Sequence, residues 1–379
     1  MSMLPPAEIG APLSAVDTPA LLIDLDAFER NLEAMAEAGK TLGVRLRPHA
    51  KTHKSPIIAA KQMELGAVGV CCQKVSEAEV LVEGGIGDVL VSNEVAGSAK
   101  LDRLAALARR AKIAVCVDDP DNIAEMEAAA AKAGVTLDVL VEIDVGAKRC
   151  GIAPGAPAAR LAKQIAGSPR LTFAGLQAYH GSAQHVRKAD TRRDQIARAV
   201  EMVEETLRAL RAAGLEARIV GGGGTGTYEI EAASRVYNEL QCGSYIFMDA
   251  DYARNKRADG GPYDTFEHAL FVYATVMSMT QSDRAVVDTG LKAFAFDSGP
   301  PEPVGFAGAI YERPSDEHGN LNLAQSNARP GLGDKIRLIP GHCDPTVNLH
   351  DWYVGIRGMA GSAPVVESVW PVAARGALF

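Results

Sequence analysis

Cysteine is scarce and carries no pattern: Cys71, Cys72, Cys116, Cys150, Cys242 and Cys343 form no Cys-x-x-Cys pair. That spacing gives no disulfide framework and no structural zinc, and predicts reduced thiols in a cytoplasmic protein. Long apolar runs are missing too; none approaches the ~18–20 residues that cross a bilayer, so no membrane partner is expected. Residues 1–15 hold no Lys or Arg and no sustained apolar core, unlike a secretory signal. Dense basic runs are absent and the formal net charge is -8, which argues against nucleic acid as a partner. There is no repeat longer than a βα unit, no low-complexity tract and no long linker.

What is present is an ordinary soluble composition: 379 residues, 47% hydrophobic and 23% charged. That length suits one large domain plus a smaller one. Residues 18–24 predict a strand that Pro19 opens at a sheet edge. Asp26 and Glu29 read as a capping-box variant before a helix with Phe28, Leu32 and Met35 on one face, ending at Gly43. Short β-rich runs then alternate with Ala-rich amphipathic stretches. Strands are predicted at 44–49, 67–72, 88–92, 113–117, 137–143, 171–178, 217–220 and 238–242, with helices such as 76–84, 101–111, 121–133 and 190–214 between them. Eight βα units predict an α/β fold, a (β/α)8 TIM-type barrel over 27–265. From about 265 the chain reads as strands (271–279, 285–288, 335–339, 352–357 and 365–372) punctuated by Gly and Pro. This predicts a β-domain of 266–379, joined by 1–26.

The chemistry concentrates at strand tips. Arg47-Pro48-His49-Ala50-Lys51-Thr52-His53-Lys54 follows the first barrel strand, at the end where barrel active sites lie. A lysine there, its pKa lowered by neighbouring cations and partial burial, can form a Schiff base with a carbonyl cofactor. A solvated basic turn is the competing reading. Gly221-Gly222-Gly223-Gly224-Thr225-Gly226-Thr227 follows the seventh strand. Its glycines let backbone amides approach an anion closely, and no Gly-Lys-Ser/Thr follows, so it is not a Walker motif. Gly243, Ser244 and Tyr245 after the eighth strand add donors. An amine after strand one and a phosphate cradle after strands seven and eight suit pyridoxal 5'-phosphate, whose aldehyde and phosphate lie across one ring.

Other tips point the same way. Gln73 and Arg149 are candidate donors to the cofactor's phenolic oxygen. Tyr179 is a partner for its ring nitrogen or ring face, and His185 is a candidate general base. His342 and Asp344 are two residues apart, so an extended segment would turn both to one face and Cys343 to the other. Such a pair is an open half-site for a hard or borderline divalent ion such as Mn, Mg or Zn. A turn with a capping Asp and an incidental His is the bland alternative.

Taken together, Thr18-Pro19-Ala20, the 47–54 motif, the 221–227 loop and His342-Cys343-Asp344 resemble a known group. This is the D-threonine aldolase and D-serine dehydratase group of fold-type III, alanine-racemase-like pyridoxal-phosphate enzymes, and the resemblance covers essentially the whole chain. It implies that Lys51 rather than Lys54 is the Schiff-base lysine. It also implies a barrel with a C-terminal β-domain, and a homodimer whose site lies between the barrel of one chain and the β-domain of another. Within the group, dehydratase-like members carry His-x-Cys where the aldolases carry His-x-Asp, and this chain matches the aldolases. Replacing thiolate with carboxylate shifts preference from zinc toward manganese and magnesium, manganese first. The implied activity is carbon–carbon lysis: retro-aldol cleavage of a D-3-hydroxy amino acid, D-threonine-like, to glycine and an aldehyde, with Lys51 and His185 catalytic. The alternatives are a D-serine or 3-hydroxyaspartate dehydratase and a non-catalytic pyridoxal-phosphate-binding protein. A metal-dependent barrel hydrolase lacks the expected set of His and Asp ligands at the barrel strand ends.

Overall fold

A computed structural model describes residues 4–379; residues 1–3, part of the stretch assigned above to the β-domain and read as carrying no leader, lie outside the described residues. Strand β1 (Ala20–Asp24) is apolar and almost wholly buried. It lies in the middle of a sheet rather than at an edge. Pro19 stands just outside the strand, so its missing N–H leaves the ladder intact and a central position open. The helix that follows, Leu25–Leu42, buries Phe28, Leu32 and Met35. Its cap is Asp24, whose carboxylate accepts from the amides of Asp26 and Ala27. Asp26 and Glu29, expected as the cap, instead grip the Arg357 guanidinium at 2.7–2.8 Å.

Eight strands follow: β2 (Arg45–Leu46), β3 (Val70–Cys72), β4 (Asp88–Glu94), β5 (Lys112–Val117), β6 (Leu137–Glu142), β7 (Leu171–Gln177), β8 (Ile219–Gly222) and β9 (Glu239–Leu240). They form one parallel sheet in the order β2-β9-β8-β7-β6-β5-β4-β3. The sheet curls until its ends meet at a bridge between His49 and Cys71, where Ala50 N–H donates to Cys71 O at 2.7 Å. This is the (β/α)8 arrangement, with the first strand beside the last. β2 and β9 are shorter than the predicted 44–49 and 238–242. The ladder nonetheless continues as single bonds, from Arg47 N–H to Leu240 O and from His49 N–H to Cys242 O. Arg47 clamps this seam with Glu239 at 2.8 Å and Asp88 at 2.7 Å. Removing one partner from so buried a set costs roughly 3–5 kcal/mol. The barrel interior is filled by Cys71, Leu90, Ala114, Cys116, Leu140, Ala174 and Ile219.

The second sheet is mostly antiparallel. It contains β10 (Leu270–Gln281), β11 (Arg284–Val287), β12 (Glu302–Pro303), β13 (Ile310–Glu312), β14 (Gly319–Asn322), β15 (Lys335–Ile339), β16 (Trp352–Arg357) and β17 (Val365–Pro371). β1 pairs antiparallel with β10 and parallel with β16. β12, β13 and β14 escape the sequence reading because they are two to four residues long and carry no apolar alternation. One apolar cluster runs from the first helix through Tyr245–Tyr252 into this sheet, by way of Phe28, Phe247, Leu270 and Tyr353. It fixes the β-domain against the C-terminal rim of the barrel. Among the described residues no helix is long and apolar enough to cross a membrane.

Candidate active site

The residues of the 47–54 motif take unlike surroundings. His49 is buried and shares hydrogen bonds with Gln73 Nε2 at 2.9 Å and Ser92 Oγ at 3.3 Å. Burial, with the charges of Lys51, His53 and Arg149, holds its pKa well below the ordinary value, so it is neutral. His53 is wholly buried, and burial pushes it down to about 4. Lys54 turns away: its ammonium donates to Glu77 at 2.6 Å, and its carbonyl accepts from Ala374 N–H at 2.9 Å. Lys51 opens into a cleft at the barrel's rim. Its Nζ stands 3.7 Å from Asp344 Oδ2. Burial, the largest single influence, pulls its pKa down, but Asp344 together with Tyr179 and Cys71 more than offsets it and the net direction is upward. The expected lowering is therefore not found, because the nearest charge is a carboxylate and not the cations that the motif itself suggested.

The cleft also takes in His185, Gln73, Arg149, Tyr179, Gly224, Thr225, Gly243, Ser244, His342 and Asp344. Gln73 spends its amide nitrogen on His49 and on Ser92 O and Oγ, so it braces His49. Arg149 lies over the Tyr179 ring at 5.9 Å, with Glu142 beneath it at 3.9 Å. Burial, then the adjacent Glu94, pushes the Glu142 carboxyl up to about 8. Three predicted residues do not line the cleft. A side chain on Gly222 would strike Ala178 O at 2.7 Å, and one on Gly223 would strike Leu240 Cδ2 at 2.9 Å. Both glycines serve close packing of the loop against the barrel. Tyr245 is buried against Phe266, and its hydroxyl accepts from Gln62 at 3.0 Å.

The candidate metal pair, His342 and Asp344, is not extended. His342 is the β-region cap of a short helix, Cys343–Val347, and Asp344 sits in its first turn. The two still reach the cleft of their own chain, because a helical turn brings a cap and its second following residue to one end. Cys343 faces inward, with its thiol on Met248 O at 3.1 Å. His342 Nδ1 meets Asp297 Oδ2 at 2.6 Å, leaving Nε2 for the cleft. Burial lowers the His342 pKa, while Asp344 and Asp297 raise it above the ordinary value.

Sequence reasoning gave no individual role to His49, Thr52 or Gln177, which lie in the strand tips it singled out, and missed Ser92, Gln241 and Tyr252 in the cleft. Gln177 and Gln241 bond each other reciprocally at 2.8 Å, amide to amide. Their signal was a lone polar residue closing an apolar strand. It also missed the acidic run Asp249-Ala250-Asp251 just past the last barrel strand: Asp251 Oδ2 is 2.5 Å from His185 Nδ1.

A family model described as alanine racemase, N-terminal domain, matches residues 23–251, and one described as putative serine dehydratase domain matches 269–356. The chain belongs to the alanine-racemase-like family. It is 49% identical to a 3-hydroxy-D-aspartate aldolase of Paracoccus denitrificans (strain Pd 1222), over 98% of this chain and 95% of the relative. It is 48% identical to a D-threonine aldolase of Arthrobacter sp, over 99% and 97%. The crystal structure of D-threonine aldolase from Filomicrobium marinum overlays it with a TM-score of 0.96 at 55% identity, covering 100% of both chains.

This alanine-racemase-like frame implies pyridoxal phosphate, and the residues present fit it. The Thr52 hydroxyl is buried at the cleft with no protein partner. A Cβ on Gly243 would lie 2.5 Å from Thr52 Oγ1, and one on Gly224 would lie 2.5 Å from Gln184 Oε1. Both glycines line the cleft at points where the backbone approaches its neighbours too closely for any side chain. A divalent ion fits as well: Asp344 Oδ1 is buried without a partner beside an imidazole whose other nitrogen is already anchored. The donor set, one imidazole and one carboxylate, suits a hard or borderline ion.

Proposed function

We propose that this protein is a carbon–carbon lyase that cleaves D-3-hydroxy amino acids, D-threonine-like, to glycine and an aldehyde. The observation that carries the reading is the convergence of Lys51, His185, His342 and Asp344 in one cleft. The full-length likeness to the aldolases supports it. Pyridoxal phosphate supplies an electron sink for the pair left on Cα, and a divalent ion supplies polarisation of the β-hydroxyl.

The chain's own residues do the rest. Lys51 would hold the cofactor through its amine, and Gly224, Thr225, Gly243 and Ser244 would hold its phosphate, with Thr52 Oγ available as a further donor. Arg149 and Tyr179 would orient the ring, with Gln73 acting through His49. His342 and Asp344 would ligate the ion, manganese first and magnesium or zinc next. His185 takes the proton from the β-hydroxyl. The Cα–Cβ bond breaks, its electron pair stays on Cα, and the aldehyde leaves. A proton returned to Cα gives glycine and balances the one taken from oxygen. As part of the same reading the working form is a cytoplasmic homodimer. Among the described residues no group of three or more His, Cys, Asp or Glu converges to hold a metal, so further positions fall to water, substrate or a partner.

The test is product analysis. The holoprotein with manganese, given D-threonine, should release acetaldehyde and glycine, and chelator should abolish the release. Release of 2-oxobutyrate and ammonia instead would overturn the reading in favour of a dehydratase.

A further inference from the structure

His185 is held from one side only. It ends the short 3-10 turn Gly181–His185, is about half exposed (46%), and packs its ring against Tyr252 at 5.8 Å. Its Nδ1 lies 2.5 Å from Asp251 Oδ2. The other carboxylate oxygen, Oδ1, accepts from Arg187 Nη2, with Arg254 Nη2 at 3.7 Å. Arg187 also donates through Nη1 to Asp251 O at 2.7 Å and Asn255 Oδ1 at 2.9 Å. Asp251 is therefore fixed in rotamer by contacts other than the imidazole, and the Arg187 guanidinium and His185 keep it ionised.

The same short stretch holds the metal loop. Ala250 N–H donates to Pro340 O at 3.0 Å and Asp251 N–H to Gly341 O at 3.2 Å. Asp249 accepts Cys343 N–H at 3.0 Å, between His342 and Asp344 in sequence. Three consecutive residues thus bond both the imidazole and the loop that bears the ligand pair.

We infer that Asp251 is a positioning residue for His185. It fixes the tautomer with the proton on Nδ1, so that Nε2 presents a lone pair to the cleft, and the 249–251 stretch locks that nitrogen at a set distance from His342 and Asp344. A carboxylate behind an imidazole sets its tautomer and stabilises the imidazolium formed on proton uptake. This deepens the reading above, since it rests on His185 as the base.

The test uses 15N-histidine-labelled protein and long-range 1H–15N spectra, with His185→Asn to assign the signal. Wild type should show the Nδ1–H tautomer. Asp251→Asn should mix or reverse it. It should also cut kcat on the order of 10²-fold with KM little changed. Asp251→Glu, which can reach Nδ1 again, should restore the tautomer and part of kcat. The charged and titratable groups facing His185 are Asp251, Arg187 and Tyr252, with Lys51, Arg149, His342 and Asp344 across the cleft. Cofactor absorbance and metal affinity should not move in either variant. An unchanged tautomer in Asp251→Asn, or a loss of kcat traced to weaker metal binding, would overturn the inference. Full activity in His185→Ala would instead overturn the base reading, and the tautomer result would stand apart from it.

Discussion

The two ends of the cleft are built with opposite electrostatics. At the proposed phosphate end the 223–227 loop is braced from behind by neutral groups. Gln184 Nε2 donates to Thr227 Oγ1 at 2.8 Å, and Gln184 Oε1 accepts Gly226 N–H at 3.0 Å. Thr227 in turn donates to Glu231 at 2.7 Å. Burial pushes that carboxyl up to about 7, because its compensation is only the Thr227 hydroxyl and its own backbone amide. At the other end the supports are ionised: Asp251 is held down to about 2 by His185 and Arg187 against the cost of burial, and Asp297 is lowered by His342. Asp249 is the exception: burial pushes it up to about 6, although it accepts from the backbone amides of Tyr252 and Cys343. On the proposed reading, an end that takes a dianion keeps negative charge out of its walls, and an end that takes a divalent ion and a moving proton gathers it.

The largest effects should come from the ionised end. Asp344→Ala removes the orphaned carboxylate oxygen, and activity should fall by on the order of 10³-fold or more. Metal affinity, read by calorimetry, should fall with it, while cofactor absorbance stays. If activity survives while metal binding is lost, the two ends do not differ in the way described. At the neutral end Gly243→Ala places a methyl 2.5 Å from Thr52 Oγ1. Cofactor affinity should drop, roughly tenfold for each 1.4 kcal/mol of displacement, and saturating cofactor should restore much of kcat. A mutant whose kcat stays low at saturation would move Gly243 from the phosphate site to the reacting centre.

How much of this could be read in advance follows the same division. The barrel and the glycine cradle are written locally, as alternating runs and a glycine string after the seventh strand. So is the Lys51 motif, although its composition alone does not tell Lys51 from Lys54: the family resemblance made that choice, and in the fold Lys54 adopts φ 50° and turns to Glu77, a partner 23 residues away. The ionised supports are not legible, because each is a long-range pair. Asp251 meets His185 across 66 residues, and Asp297 meets His342 across 45. The short β12, β13 and β14 were lost for a related reason, since their pairing and not their composition makes them strands. The raised pKa of Lys51 belongs to the same class: no local pattern places Asp344 beside it.

The smallest effect tests the neutral end most directly. The Glu231 carboxyl has a folded-state pKa of about 7 against an ordinary value of 4.5. Between those values the folded chain keeps a proton that the unfolded chain has lost. Stability from this group is full below about 4.5, declines as pH rises through about 7, and changes no further above it. Glu231→Gln carries a permanently neutral amide in the same volume and should lack that decline. Wild type should therefore lose roughly 2–4 °C of melting temperature relative to the variant between pH 5 and pH 8. Phosphate in the cradle should move the wild-type decline to higher pH, since a nearby dianion holds the proton more tightly. A decline that stays in place on adding inorganic phosphate would mean that no dianion binds near the Glu231 carboxyl, and that this end is not the phosphate site.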